Sequence, residues 1–441
     1  MVLAAAVGDA LGAPYEFGPA GRLSAEFPTA ARGPSTELRG GGSLGWEPGE
    51  WTDDTQLALH LAASLVTLGR FDPADVWGHF QAWAVTGPPD IGLTTGAVLG
   101  SGRPWQSAAR EHHEAGGRGA GNGSVMRHGP MAVWAAPLGP DEAAALARAQ
   151  SMLTHGDPLA GEGCVVIGEL VRLALVEGVD LAVSLEAAVA AALELVPAEH
   201  RSVYAEVLAP SWTPAEARVP NGVVWPTVGT AVWALRSSTS LEQALRRAVD
   251  VGGDTDTVAC VTGQLAGAAY GVSAVPVRWA SRVRGLVPGD PDPVARDGAD
   301  LSALALRLAG VVPRPLAALA PRPLGPREVE PGLLVGDLLA ASLVDDTTVV
   351  VSLCRTGDLV RVPDHLRVHL VDGAAPADNP RLSEVVDDVL DEVAAWRQAG
   401  RAVLVHCHHG ASRTGLFLRA WLQRERGLGY EEALTEASRR W

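Results

Sequence analysis

At 441 residues, 47% hydrophobic and 20% charged, the chain has the length for two domains and the composition of a globular protein with a sizeable core. A net charge of −16 excludes general nucleic-acid binding, which needs a basic footprint. All 35 basic residues are arginine, which excludes lysine-base and Schiff-base chemistry, and no run of about eighteen apolar residues indicates a membrane span.

The chain opens on Met1-Val2-Leu3-Ala4-Ala5-Ala6-Val7-Gly8-Asp9, which lacks the basic flank and the apolar length of a signal peptide. It reads as the first turns of a buried helix. Leu57, Leu61, Leu65 and Leu68 form one apolar stripe, and segments 141–153, 162–177, 181–195, 241–250 and 257–270 repeat the three-and-four spacing before Gly, Pro or Asp. Residues 1–310 are therefore expected to form an all-α domain. Prolines 313, 315, 321, 323 and 326 mark residues 311–330 as a linker. Beyond it, 349–353, 367–371 and 402–405 read as short buried strands and 382–399 and 414–426 as helices, an alternation that predicts a small α/β domain over 331–441 with a mostly parallel sheet. Cys164, Cys260, Cys354 and Cys407 are widely spaced without metal-ligand pattern, so a reduced, cytoplasmic setting is expected.

Two acidic clusters stand about two hundred residues apart, each just before a helix: Trp51-Thr52-Asp53-Asp54-Thr55 and Gly252-Gly253-Asp254-Thr255-Asp256-Thr257. Either alone reads as helix capping. Together they hold more carboxylates than caps require, and like charges so close repel unless a cation lies between them. Hard oxygen ligands of this kind suit Mg²⁺ or Mn²⁺ and do not suit zinc.

These clusters, with Gly8-Asp9-Ala10-Leu11-Gly12-Ala13-Pro14-Tyr15-Glu16-Phe17, Gly121-Asn122-Gly123-Ser124-Val125-Met126-Arg127 and Thr154-His155-Gly156-Asp157-Pro158, stand in the order found in the ADP-ribosylglycohydrolase family, and residues 1–310 resemble it. The resemblance implies an all-α fold holding two Mg²⁺ ions, with Mn²⁺ as the alternative. It implies cleavage at the ribose anomeric carbon of an ADP-ribosylated protein or small molecule. Thr52, Asp53, Asp54, Asp254, Asp256 and Thr257 become metal ligands. Glu16 becomes the proton-transfer carboxylate, with Asp54 and Asp256 as rivals. The loop Gly121, Asn122, Gly123 and Ser124 is placed along the diphosphate, and His155 near the adenosine or ribose, against the alternative of a core or capping histidine. Asp9 reads as structural. A non-catalytic ADP-ribose-binding protein is the competing class.

At the other end, the strand 402–405 leads into His406-Cys407-His408-His409-Gly410-Ala411-Ser412-Arg413-Thr414-Gly415 and then a helix. Loop amides and a helix N-terminus would converge on an anion there, favouring a nucleophilic thiolate at Cys407, with the fork of Arg413 matched to phosphate oxygens. This stretch resembles the signature loop of dual-specificity, cysteine-based phosphatases. The resemblance implies phosphomonoester hydrolysis on a phosphorylated substrate. His406 orients the loop, Ser412 or Thr414 assists thiolate departure, and Asp372 is the general acid, with Asp378 as its rival. The competing reading is a phosphate-binding module.

Overall fold

Glycine decides where the first helix, α1 (Val2–Gly12), can lie. A Cβ on Gly8 would sit 2.1 Å from the Ala259 carbonyl oxygen, and one on Gly12 would sit 2.4 Å from that of Thr255. Only hydrogen at these positions lets α1 cross the helix Thr255–Tyr270 so closely. The computed structural model describes residues 1–117, 120–291, 295–311, 322–373 and 375–441. The chain forms two compact units: Met1–Thr29, Glu37–Val272 and Arg282–Pro313 make the first, and Ala30–Thr36, Ser273–Ser281 and Arg314–Trp441 the second. No described helix is long and apolar enough to cross a membrane.

The first unit is mostly helical. After α1 come α2 (Asp53–Leu68), α3 (Leu93–Leu99) and, later, α4 (Thr255–Tyr270). Thr52 caps α2, accepting from the Asp54 amide, and the two aspartates of its first turn suit the positive end of the helix dipole. Leu57, Leu61 and Leu65 of the expected stripe are fully buried. Helices at Pro140–Ser151, Pro158–Val176, Leu181–Glu194 and Leu241–Val249 occupy the other segments whose spacing predicted them. The Thr255 hydroxyl donates to the Gly12 carbonyl at 2.8 Å, fixing the start of α4 against the end of α1. That crossing sets Asp9 and Glu16 beside the acidic turns.

The second unit carries β1 (Arg327–Glu330), β2 (Leu333–Gly336), β3 (Val349–Ser352), β4 (His365–Arg367), α5 (Leu382–Gln398), β5 (Val403–His406), α6 (Ser412–Arg426) and α7 (Tyr430–Arg440). Its sheet order is β1-β2-β5-β3-β4; β1 is an antiparallel edge and the remaining pairs are parallel. The central strands β3 and β5 are buried throughout, as expected of parallel strands covered on both faces. Two boundaries differ from the expectation. The strand predicted at 367–371 is observed at His365–Arg367, because the Leu370 amide turns back to the Val368 carbonyl at 3.1 Å and the chain leaves the sheet. Residues 327–330, expected in the linker, form β1. Glu330 at its end accepts from Trp421 at 3.2 Å, Arg426 at 3.0 Å and Arg440 at 3.2 Å, which ties that strand to α6 and α7. Of the linker prolines, Pro313, Pro315 and Pro321 lie outside the described residues.

Candidate active site

The two acidic turns meet in the first unit. The Thr257 hydroxyl donates to Asp54 Oδ2 at 3.2 Å across 203 positions of sequence, and the Thr52 hydroxyl lies 3.5 Å from the same oxygen. Asp9 holds the first turn from beneath: it accepts from the Thr52 amide at 2.9 Å, the Thr55 amide at 3.0 Å and the Thr55 hydroxyl at 2.5 Å. Its oxygens are thereby engaged with the first turn. Asp254 is held in the second turn by Asn122 Nδ2 at 2.9 Å, while its amide donates to Asn221 Oδ1 at 3.1 Å.

Around this junction the carboxylates outnumber their partners. Glu16 Oε2, Asp54 Oδ1 and Asp256 Oδ1 are buried without a hydrogen-bond partner. Glu16, Asp90 and Asp256 each offer an oxygen within 4.8 Å of the others. Burial, then the charges of Asp90, Asp254 and Asp9, push Glu16 up to about 8. Burial raises Asp9 to about 6, and burial and the charge of Asp254 raise Asp90 to about 6. Asp53, Asp54 and Asp256 are also driven well above the carboxylate range, first by burial and then by their neighbours' charges. Unpaired carboxylate oxygens crowded into one buried pocket are costly, and divalent cations would satisfy them. The donor set, all carboxylate and hydroxyl oxygen, fits Mg²⁺ or Mn²⁺.

A pH dependence follows for the metal-free protein. Unfolded carboxylates titrate near about pH 4, so the folded state binds more protons from there up to the raised values. The associated stability is present below about pH 4 and is lost as pH rises through about 6 and 8. In a chelator, Tm is therefore expected to be lower at pH 8 than at pH 6, with Mg²⁺ raising Tm more at pH 8. Calorimetry at both values checks this, and a metal-free Tm that climbs from pH 6 to pH 8 would contradict it.

The glycine loop adjoins the acidic pocket through Asn122. Its amide nitrogen also donates to Thr227 Oγ1 and the Asn221 carbonyl, each at 3.2 Å. A Cβ on Gly123 would lie 2.9 Å from the His155 ring. His155 itself is buried, 2.8 Å from the Thr154 hydroxyl, and burial with the nearby Arg127 charge lowers it to about 3. It is a neutral wedge beneath Gly121 and Gly123, closer to the core alternative than to a ligand contact. Ser124 departs further: its side chain is fully buried, accepting from Ser151 at 2.8 Å. Its carbonyl accepts from Gln150 Nε2 at 3.1 Å, so neither the hydroxyl nor the carbonyl is turned to a ligand.

Sequence reasoning missed Asp90 and Asn221. Asp90 stands alone in Gly87-Pro88-Pro89-Asp90-Ile91-Gly92, with no second acid to flag it; the turn-forming Gly-Pro-Pro before a helix is the one available signal. Asn221 braces both sides of the second acidic turn, donating to the Gly252 carbonyl at 2.8 Å.

In the second unit, Cys407 directly follows β5 and is 2% exposed. His406 lies beneath it, Nδ1 3.3 Å from the Cys407 carbonyl and Nε2 2.6 Å from Ser352 Oγ. Burial lowers His406 to about 4, so the ring is neutral. Its Nδ1 then donates to the carbonyl and the Ser352 hydroxyl donates to Nε2, leaving Ser352 to accept from His365 at 2.7 Å. Arg413 donates to the Leu370 carbonyl at 3.1 Å and to Asp372 Oδ2 at 3.2 Å, while its Nε is buried without a partner. Asp378 instead closes its own turn on the Ala375 amide at 3.1 Å. Thr414 is fully buried, 3.5 Å from the Gly336 carbonyl, whereas Ser412 is exposed; α6 begins there with no side-chain cap.

Comparison with known proteins places the first unit. The family described as ADP-ribosylglycohydrolase matches residues 1–316. The chain is 31% identical over 282 residues to the ADP-ribosyl-[dinitrogen reductase] glycohydrolase of Rhodospirillum rubrum, covering 64% of this chain and 88% of that protein. It is 30% identical over 294 residues to the ADP-ribosylarginine hydrolase Tri1 of Pseudomonas putida (strain GB-1), covering 64% of this chain and 72% of that protein. Among solved structures, an ADP-ribosylglycohydrolase-related protein complex aligns with a TM-score of 0.54 at 34% identity, over 70% of this chain and 95% of that one. With an acidic pocket built from turns 203 positions apart and a family match over residues 1–316, the chain belongs to the ADP-ribosylglycohydrolase family.

Proposed function

We propose that the first unit hydrolyses the bond between the ribose anomeric carbon and its leaving group in ADP-ribosylated proteins or small molecules, in a reduced, cytoplasmic setting. The linkage to arginine is the first candidate, since a relative is named an ADP-ribosylarginine hydrolase. Thr52, Asp53, Asp54, Asp254, Asp256 and Thr257 would hold two divalent ions, Mg²⁺ or Mn²⁺. Such ions, when bound, supply polarisation of the ribose hydroxyls and of a water. The chain's own groups do the rest. Asn122 and Asn221 fix the second acidic turn, Asp9 fixes the first, and Gly121 and Gly123 let the loop backbone approach the diphosphate. Glu16, whose Oε2 is buried and unpartnered and which lies close to Asp90 and Asp256, would take the proton-transfer role at the scissile bond, with Asp54 and Asp256 as its rivals. The observation that carries this reading is the meeting of Asp54 and Thr257 in a pocket of unpaired carboxylate oxygens. Hydrolysis of ADP-ribosyl-arginine and ADP-ribosyl-serine with Mg²⁺ and with chelator tests it. No Mg²⁺-dependent release from either, with ADP-ribose still bound, would instead support the non-catalytic binding reading.

A second activity is proposed for residues 331–441: cysteine-dependent phosphomonoester hydrolysis, which would make the chain bifunctional. Its support is the placement of Cys407 at the end of the central strand, with Arg413 carrying an unpartnered Nε and α6 starting uncapped. Its rival is a phosphate-binding module without turnover.

A further inference from the structure

We propose that the Phe17 ring receives the group departing from the anomeric carbon and selects a planar cation of the guanidinium class. This rests on the reading of the first unit as an ADP-ribosyl hydrolase. Phe17 has a φ of +56°, and among the described residues it is the one non-glycine residue with positive φ. A bulky side chain there is a steric outlier, and such strain persists only where the surroundings fix the backbone on both sides. They do so here. Tyr15, 1% exposed, has the guanidinium groups of Arg22 and Arg39 each 5.4 Å from its ring and donates to Glu26 at 3.3 Å. On the other side the Phe17 amide donates to the Gly253 carbonyl at 2.7 Å, and Gly18 pairs with Gly253. Glycine would adopt this φ without steric cost, so the backbone alone gives no reason for an aromatic ring.

The ring is also 75% exposed. It sits one residue from Glu16, whose carboxylate lies within 4.8 Å of Asp90 and Asp256, and its backbone is bonded to the residue before Asp254. A second exposed apolar side chain, Leu93 at 80%, opens α3 three residues beyond Asp90. Its neighbours Thr94 and Thr95 lie beside the glycine loop: a Cβ on Gly121 would be 3.8 Å from Thr94 Oγ1, and one on Gly123 would be 3.3 Å from Thr95 Oγ1. Phe17 and Leu93 thus put an aromatic ring and an apolar side chain on segments that flank the acidic pocket. A guanidinium gains from the negative face of the ring and stacks flat on it. A hydroxyl leaving group does not.

The test compares ADP-ribosyl-arginine, which carries the departing group, with ADP-ribose, which lacks it. With Mg²⁺ present, Phe17→Leu is expected to raise KM for ADP-ribosyl-arginine about two- to fivefold, the worth of a cation–π contact at an exposed ring. It should leave inhibition by ADP-ribose itself unchanged, and Phe17→Tyr should restore the wild-type KM. A KM that stays put in Phe17→Leu, or an ADP-ribose inhibition constant that rises in parallel, overturns the inference while leaving the hydrolase reading intact. A wild-type protein that does not turn over ADP-ribosyl-arginine overturns this selectivity at once, and failure on ADP-ribosyl-serine as well takes the hydrolase reading with it.

Discussion

Asp256→Asn is expected to lower Mg²⁺-dependent cleavage of ADP-ribosyl-arginine by ~1000-fold, the several kcal/mol that a polarising cation contributes, without unfolding the protein. The substitution keeps shape and changes charge. Asp256 Oδ1 is buried with no partner, and the side chain faces the charges of Asp54, Glu16, Asp254 and Asp90. In the metal-free protein one of several repelling carboxylates is removed, so Tm in chelator should hold or rise. With Mg²⁺ the order reverses. A ligand at a hundredfold its dissociation constant adds about 2.7 kcal/mol to the folded state, and the variant should lose most of that gain. Calorimetry and single-turnover kinetics on one preparation separate the outcomes. Wild-type cleavage by the variant would remove Asp256 from the metal site. A Tm that falls in chelator would make it a structural residue.

The parts of the fold that were legible in sequence share one property: their signal is local. The α2 stripe, the valine runs of β3 and β5, and the turn from β5 into α6 each declare themselves within a dozen residues. The two acidic turns were legible for the same reason, as each packs its carboxylates into adjacent positions. What was illegible depends on long-range packing. Asp90 matters because a Gly-Pro-Pro turn carries it to Glu16 and Asp256, and no spacing rule records that approach. Ser124 looked like a ligand contact from the motif around it. Whether a loop hydroxyl faces the pocket or the core is decided by Ser151, on another element. The ambiguity between Asp372 and Asp378 was of the same kind, six residues apart on one loop: Asp372 accepts from Arg413, and Asp378 from the Ala375 amide.

That pairing frames the second large effect. Cys407→Ser should abolish turnover of p-nitrophenyl phosphate by the full chain while retaining phosphate binding; Arg413→Ala should lose both. The reasoning begins from occupancy. Arg413 already donates to the Leu370 carbonyl and to Asp372, so a phosphate oxygen must compete with the Asp372 carboxylate for the same guanidinium. An anion that displaces Asp372 frees it next to the leaving oxygen, where a general acid is needed. Asp372→Asn should therefore bind phosphate more tightly, having exchanged a competing anion for a neutral amide, and yet turn over more slowly. A mere binding module predicts the first change alone, because nothing in binding requires a proton. The 2% exposure of Cys407 sharpens the contrast. A sulfur so buried should be out of reach of a thiol reagent too large to enter the loop, which should leave Cys407 unmodified, and bound phosphate should protect it from smaller ones. Wild-type protein that binds phosphate with no release from p-nitrophenyl phosphate, and whose Asp372→Asn variant differs only in affinity, would settle the matter in favour of recognition without catalysis.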